Sequence, residues 1–160
     1  MSPTLQVTFD AASPALLGRF WLHVLDPEGY AVDPPPNSEE AADASRDPEE
    51  VLARWHAFLA EQHVPREQWD SAYAIVDPTG TGPRLLFLRV PEAKTAKNRV
   101  HLDLRRGGDL RGQARMDALE AEAARLVAHG ATRTARFEPA AFELGFIVMA
   151  DPEGNEFCLT

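Results

Sequence analysis

Met149-Ala150-Asp151-Pro152-Glu153-Gly154 follows the same plan as Ile75-Val76-Asp77-Pro78-Thr79-Gly80 in the first half of the chain. In both, apolar residues suited to a strand run into Asp-Pro-x-Gly, a strong turn signal. A second echo precedes each turn, where Val7-Thr8-Phe9-Asp10 matches Val100-His101-Leu102-Asp103. Outward from these anchors the order of elements is the same: a strand, a helix, then a hairpin built around the turn. Each half alone exposes one face of a small sheet, so the two halves are expected to pair and bury a shared core.

Leu5 to Phe9 alternate as a strand, and Ser13-Pro14 supplies a cap with Pro at the first helical position. Leu16, Leu17, Phe20, Trp21, Val24 and Leu25 then recur at helical spacing. A short strand is expected over Tyr30 to Val32, which Pro34-Pro35-Pro36 must end, because proline has no N–H for the ladder. From Glu39 to Glu50 the chain carries six carboxylates and one arginine, a solvated stretch that leads to an Asp47-capped helix with Val51, Leu52, Trp55, Phe58 and Leu59 as its buried stripe. Residues 34–69 therefore read as a loop and helix inserted over the sheet. Tyr73 to Val76 and Arg84 to Val90 form a hairpin, and Arg99 to Leu104 begins the second half. After Gly107-Gly108 comes a long helix whose apolar face holds Met116, Leu119, Ala123, Leu126 and Val127, with Gly130 just past its end. Phe146 to Met149 and Glu156 to Leu159 are strands, and Thr132 to Phe137 is a further candidate.

The chain has 160 residues, enough for one domain or for two half-size modules sharing a core. With 44% hydrophobic residues it can bury that core, which argues against disorder. Sixteen Lys and Arg against 25 Asp and Glu give −9, so phosphate backbones and anionic membranes are repelled. Only Lys94 to Arg106 concentrates basic residues, which ranks a nucleic-acid adaptor last. No basic-then-apolar leader opens the sequence, and no run of 18 apolar residues occurs. The lone cysteine, Cys158, fits a reducing, cytoplasmic setting.

Two β-α-β-β-β halves with Asp151-Pro152-Glu153-Gly154-Asn155 before the last strand resemble the vicinal-oxygen-chelate superfamily, which includes glyoxalase I, extradiol dioxygenases and bleomycin-resistance proteins. More narrowly, Phe9 to Pro14 before Arg19-Phe20-Trp21, then Pro83 to Phe87, Arg89-Val90-Pro91, Lys94 to Asp103 and Asp151 to Cys158 look like the glyoxalase-like proteins common in actinobacteria. The resemblance implies an α+β fold: two paired β-α-β-β-β modules that form a curled sheet with a pocket, with an extra helix inserted in the first. It covers one domain over residues 1–160, with module 1 at about 4–90, its insert at 34–69, and module 2 at about 99–160. It also implies a homodimer.

In this superfamily metal ligands come from the first and last strands of each half, a His or Gln and a Glu. In the first half that pattern falls on Gln6 when counted back from Ser13, whereas the repeat selects Thr8, one pleat on. Both remain open. His101 takes the place in the second half, and imidazole suits Zn, Ni, Fe, Co or Mn. The last-strand carboxylate is replaced by Cys158 in the second half and by Leu88 in the first, and Leu88 cannot ligate. Metal candidates are thus Gln6, His101 and Cys158. Glu156 shares a strand face with Cys158 and is the candidate catalytic base, its pKa raised if it lines an apolar cup. Asp10 and Asp103 lie on the faces of Gln6 and His101 and either orient a ligand or start a turn. Lys94, Lys97 and Arg99 would draw in an anion or simply form a solvated loop. Trp69, outside any helix stripe, is a candidate lid.

The expected pocket is lined by Gln6, Thr8, His101, Glu156 and Trp69. Its expected function is to bind a small organic molecule, with metal-assisted lyase, isomerase or dioxygenase-type chemistry if the protein is an enzyme. The competing expectation is a metal-free protein that sequesters a drug or metabolite.

Overall fold

The computed structural model describes residues 5–36, 38 and 47–160. Residue 4, where module 1 was expected to begin, and the acidic part of the insert, 39–46, lie outside them. The chain divides into two compact units, Met1–Glu92 and Ala93–Thr160. Each is a β-α-β-β-β module with a four-stranded sheet of its own, so the fold is α+β.

Module 1 comprises β1 (Gln6–Ala11), α1 (Pro14–Val24), β2 (Ala31–Val32), α2 (Pro48–Glu61), β3 (Ala72–Val76) and β4 (Arg84–Arg89). Its sheet runs β1-β4-β3-β2, with β1 parallel to β4 and the other pairs antiparallel. Module 2 comprises β5 (Asp103–Leu104), α3 (Gly112–Ala128), β6 (Thr132–Phe137), β7 (Phe146–Ala150) and β8 (Glu156–Leu159), in the order β5-β8-β7-β6. The two orders are the same once the strands of each module are counted from its start. The repeat read from Asp-Pro-x-Gly is therefore a repeat of topology.

Alternation explains which strand face is buried. Leu85 and Phe87 on β4, and Tyr73 and Ile75 on β3, point to α1 and are almost fully buried, as are Leu17, Phe20, Trp21 and Val24 on the helix. Each such side chain contributes roughly 1.5–3 kcal/mol by leaving water. Gly18 lets α1 approach closely, since a Cβ there would lie 2.1 Å from the Tyr73 ring. In module 2, Met116, Leu119, Ala123 and Leu126 of α3 cover Ile147 and Met149 of β7 and Phe157 and Leu159 of β8. The Asp-Pro-x-Gly turns close on their own aspartates. Asp77 accepts from the N–H groups of Thr79 and Gly82, and Asp151 from those of Glu153 and Asn155.

Several expectations need correction. Ser13 makes no side-chain cap to α1, whose start rests on Pro14 and on the Ser13 carbonyl accepting from Leu17 N–H at 3.0 Å. Leu16 and Val127 are half-exposed rather than in the helix stripes, each lying at the margin of its apolar face. Of the α2 stripe only Val51 is buried, because this helix lies beside the short β2 and not across a full sheet. The strand expected over Arg99 to Leu104 shrinks to Asp103–Leu104. Its partner β8 is four residues long, and Asn98 N–H is taken by the Glu156 carboxylate at 3.0 Å.

Candidate functional site

Parallel pairing of β5 with β8 sets Asp103 opposite Cys158. His101 precedes Asp103 by two residues, which brings its ring to the same side, with Nδ1 3.6 Å from the Asp103 carboxylate. One ligating atom from each of His101, Asp103 and Cys158 lies within 4.8 Å of the others. His101 and Asp103 are exposed while Cys158 is 8% exposed, so the group has a buried sulfur and two accessible arms. Burial pushes the Cys158 thiol up, and the Asp103 carboxylate adds to the effect by its charge and by accepting a hydrogen bond.

Glu156 stands two residues before Cys158 but is occupied elsewhere. It accepts from Asn98 N–H and pairs with Lys94 Nζ at 3.1 Å. These contacts, the Asn98 N–H first, hold its carboxyl below the usual range, the reverse of the raised value expected for a base in an apolar cup. It anchors the 94–98 connection as an ionised group. Lys94 is thereby neutralised rather than left to attract an anion.

In module 1 the β1–β4 register sets Asp10 opposite Leu88, the same relation as Asp103 to Cys158. Thr8, two residues before Asp10, is thus the counterpart of His101, and Gln6 that of Arg99. The Gln6 amide donates to Thr8 Oγ1 at 3.3 Å and accepts from the Arg84 guanidinium at 2.7 Å. Arg84 also pairs with Asp33 at 2.7 Å. With Leu88 opposite Asp10, no counterpart of the module 2 group forms among the described residues of module 1.

Trp69 lines a cavity of about 200 Å³ within module 1. The cavity lies along β3 beside α2 and the turn that follows it, and its walls include Trp55, His56, Leu59, Tyr73 and Leu86. Of the five residues expected to line one pocket, Trp69 lines this cavity, whereas Gln6, Thr8, His101 and Glu156 do not. Sequence reasoning also missed Asp103 as a member of the His101–Cys158 group. The two-residue spacing from His101 was visible, but the pairing with Cys158 required the strand register.

A model of the Glyoxalase-like domain family matches residues 40–160. The chain belongs to that family. With it comes membership of the vicinal-oxygen-chelate superfamily, and solved structures share the fold. A glyoxalase/bleomycin resistance protein/dioxygenase family enzyme from Burkholderia phytofirmans PsJN is 12% identical, covers 99% of this chain and 97% of its own, and has a TM-score of 0.56. The fosfomycin resistance protein FosX from Listeria monocytogenes, in a structure holding Mn(II) and 1S,2S-dihydroxypropylphosphonic acid, is 9% identical, with coverage of 99% and 89% and a TM-score of 0.57. FosX from Mesorhizobium loti gives 12%, 99% and 90%, and 0.53. At these identities the likeness is one of fold. No curated protein matches the sequence. Among the described residues of this glyoxalase-like chain, no helix is long and apolar enough to cross a membrane.

Proposed function

We propose that this glyoxalase-like chain binds a small organic molecule through a divalent metal held by His101, Asp103 and Cys158, and acts on it as a lyase or isomerase. The observation that carries this is the convergence of an imidazole, a carboxylate and a thiol within 4.8 Å. A mixed N, O, S set favours Zn, Co, Ni or Fe(II) over Mg or Ca. Bond lengths of about 2.0–2.3 Å would need the three atoms to close to roughly 3.5 Å of one another. His101 lies just outside β5 and is exposed, so its arm has the freedom to close. Three protein ligands leave positions open for substrate oxygens, the pattern of catalytic rather than structural sites. When bound, such an ion polarises a carbonyl or a pair of neighbouring oxygens. Cys158 must lose its thiol proton for this, so binding releases protons. That the Listeria protein of this fold is complexed with Mn(II) and 1S,2S-dihydroxypropylphosphonic acid, a vicinal diol, supports diols, and with them α-keto compounds, as the first substrates to screen.

The same reading makes residues 1–160 one glyoxalase-like domain of two modules, and a cytoplasmic homodimer in which Cys158 stays reduced. Metal-free binding of a drug or metabolite is the second reading, favoured by Leu88, which removes any ligand from the matching place in module 1.

Metal content decides between them. Protein incubated with Zn, Co, Ni, Fe(II) and Mn, then desalted, is expected to keep about one metal per chain by mass spectrometry, and His101→Ala to keep none. With cobalt, a thiolate-to-metal absorption band should appear and vanish in Cys158→Ser. Protein that retains no metal under any of these conditions rules the first reading out.

A further inference from the structure

We infer that the insert of module 1 creates a second ligand site, independent of the metal group, that takes a neutral planar aromatic molecule of one or two rings. Its origin is a gap in the sheet. In module 2 the edge strand β6 pairs with β7 from Thr132–Ala150 to Phe137–Phe146, interrupted by a bulge at Thr134. The corresponding β2 of module 1 pairs only Ala31 with Val76 and Val32 with Ile75, and Asp33 N–H adds one bond to the Ala74 carbonyl before the prolines intervene. Among the described residues, no strand pairs with β3 past Ala74. α2 and the turn ending at Trp69 stand there instead, and the small side chains of Ala72 and Ala74 leave about 200 Å³ of room between.

The chemistry of the walls selects the occupant. Trp55 Nε1 donates to the Asp33 carbonyl at 2.7 Å, and Trp69 Nε1 to the Val64 carbonyl at 3.0 Å. Both indoles are held in place with their only donors used. His56 stacks on Trp69 at 5.1 Å and 28°, so the aromatic wall is continuous. Arg84 is bound to Asp33 and Gln6, and Ser71 Oγ to the Gln68 carbonyl at 2.6 Å. These donors are spent within the protein, and the neutral Tyr73 hydroxyl, buried without a partner, is left for one hydrogen bond. This gives little reward for a charged ligand, while Leu52, Leu59, Val64 and Leu86 supply aliphatic surface. An apolar cavity of roughly 150 Å³ already takes a benzene ring. This one accommodates a substituted ring or a small bicycle, packed between the indoles and the aliphatic wall.

The test uses the full chain with chelator present, so that metal binding plays no part. Toluene, indole and naphthalene are titrated and read by saturation-transfer NMR, with contacts sought from probe protons to the Trp55 and Trp69 ring protons. At least one probe should bind and show those contacts. Ala74→Leu, which fills the cavity from the strand side, and Leu52→Phe, which fills it from the helix side, should each weaken binding at least tenfold while circular dichroism stays unchanged. His101→Ala should leave the affinity within twofold, even though it abolishes metal retention. The inference fails if no probe binds at millimolar concentration, if bound probe shows no contact to either tryptophan, or if binding survives in a folded filling variant.

Discussion

Asp10 faces Leu88 across β1 and β4, and Asp103 faces Cys158 across β5 and β8. Strand order and register are the same in the two modules, yet one of them gathers three donor groups where the other has an isolated carboxylate. Two substitutions account for the contrast: Thr8 where the other module has His101, and Leu88 where it has Cys158. At the opposite edge the asymmetry reverses, because β6 seals its sheet whereas β2 stops after two residues and leaves room for a cavity. Backbone pairing thus tolerates exchange of the side chains that face away from the helix. Each module can carry a different chemistry on one scaffold.

The largest expected effect comes from exchanging those residues. Placing Thr8→His and Leu88→Cys together in module 1 copies the donor set beside Asp10, and metal retention should rise from about one to about two ions per chain. The reverse pair, His101→Thr with Cys158→Leu, should bring it to none. Mass spectrometry of desalted protein reads both. If the reverse pair keeps its metal, the difference between the modules does not lie in these positions.

Next in size is the contrast between the two turn aspartates. Asp151 is 3% exposed and accepts from Glu153 N–H, Asn155 N–H and the Asn155 side-chain amide. Asp151→Ala leaves these donors unsatisfied in a buried place and should cost about 2–3 kcal/mol, or roughly 4–12 °C in Tm for a chain of this size. Asp77 makes a similar set of bonds where water can reach them, so Asp77→Ala should cost clearly less in the same thermal melt. Equal losses would mean that burial does not separate the two turns.

Much of this architecture was legible because it rests on local chemistry. The Asp-Pro-x-Gly turns, the Asp47 cap, whose side chain accepts from Glu49 N–H at 2.9 Å, and Gly130 at φ +105 past α3 all follow from single residue types with fixed backbone roles. Strand register was half legible. The repeat pointed to Thr8 and the count from Ser13 to Gln6, and only the pairing of Asp10 with Leu88 separates them. What stayed hidden depends on partners distant in sequence. Nothing near Glu156 announces that Asn98, 58 residues earlier, will hold its carboxylate, and the half-burial of α2 follows from how little of β2 exists for it to cover.

The smallest effect concerns pH and again sets one turn against the other. Asp77 accepts from the hydroxyls of Thr79 and Thr81 and from the N–H groups of Thr79 and Gly82, at 2.7–2.8 Å. Led by the Thr79 hydroxyl, these bonds hold its carboxyl well below the ordinary carboxylate range. The ionised form is therefore favoured in the fold, while in the unfolded chain an aspartate titrates near pH ~3.9. Stability supplied by this charge is fully present above that value and is lost as pH falls toward the folded pKa. Asp77→Asn keeps the size of the side chain and removes the titration. Its melting temperature should lie a few degrees below that of the unaltered protein at neutral pH, with the gap narrowing steadily below about pH 4. Melts at pH 7, 5, 4 and 3 would show this. A gap that stays constant down to pH 3 would mean that the turn depends on the shape of Asp77 and not on its charge.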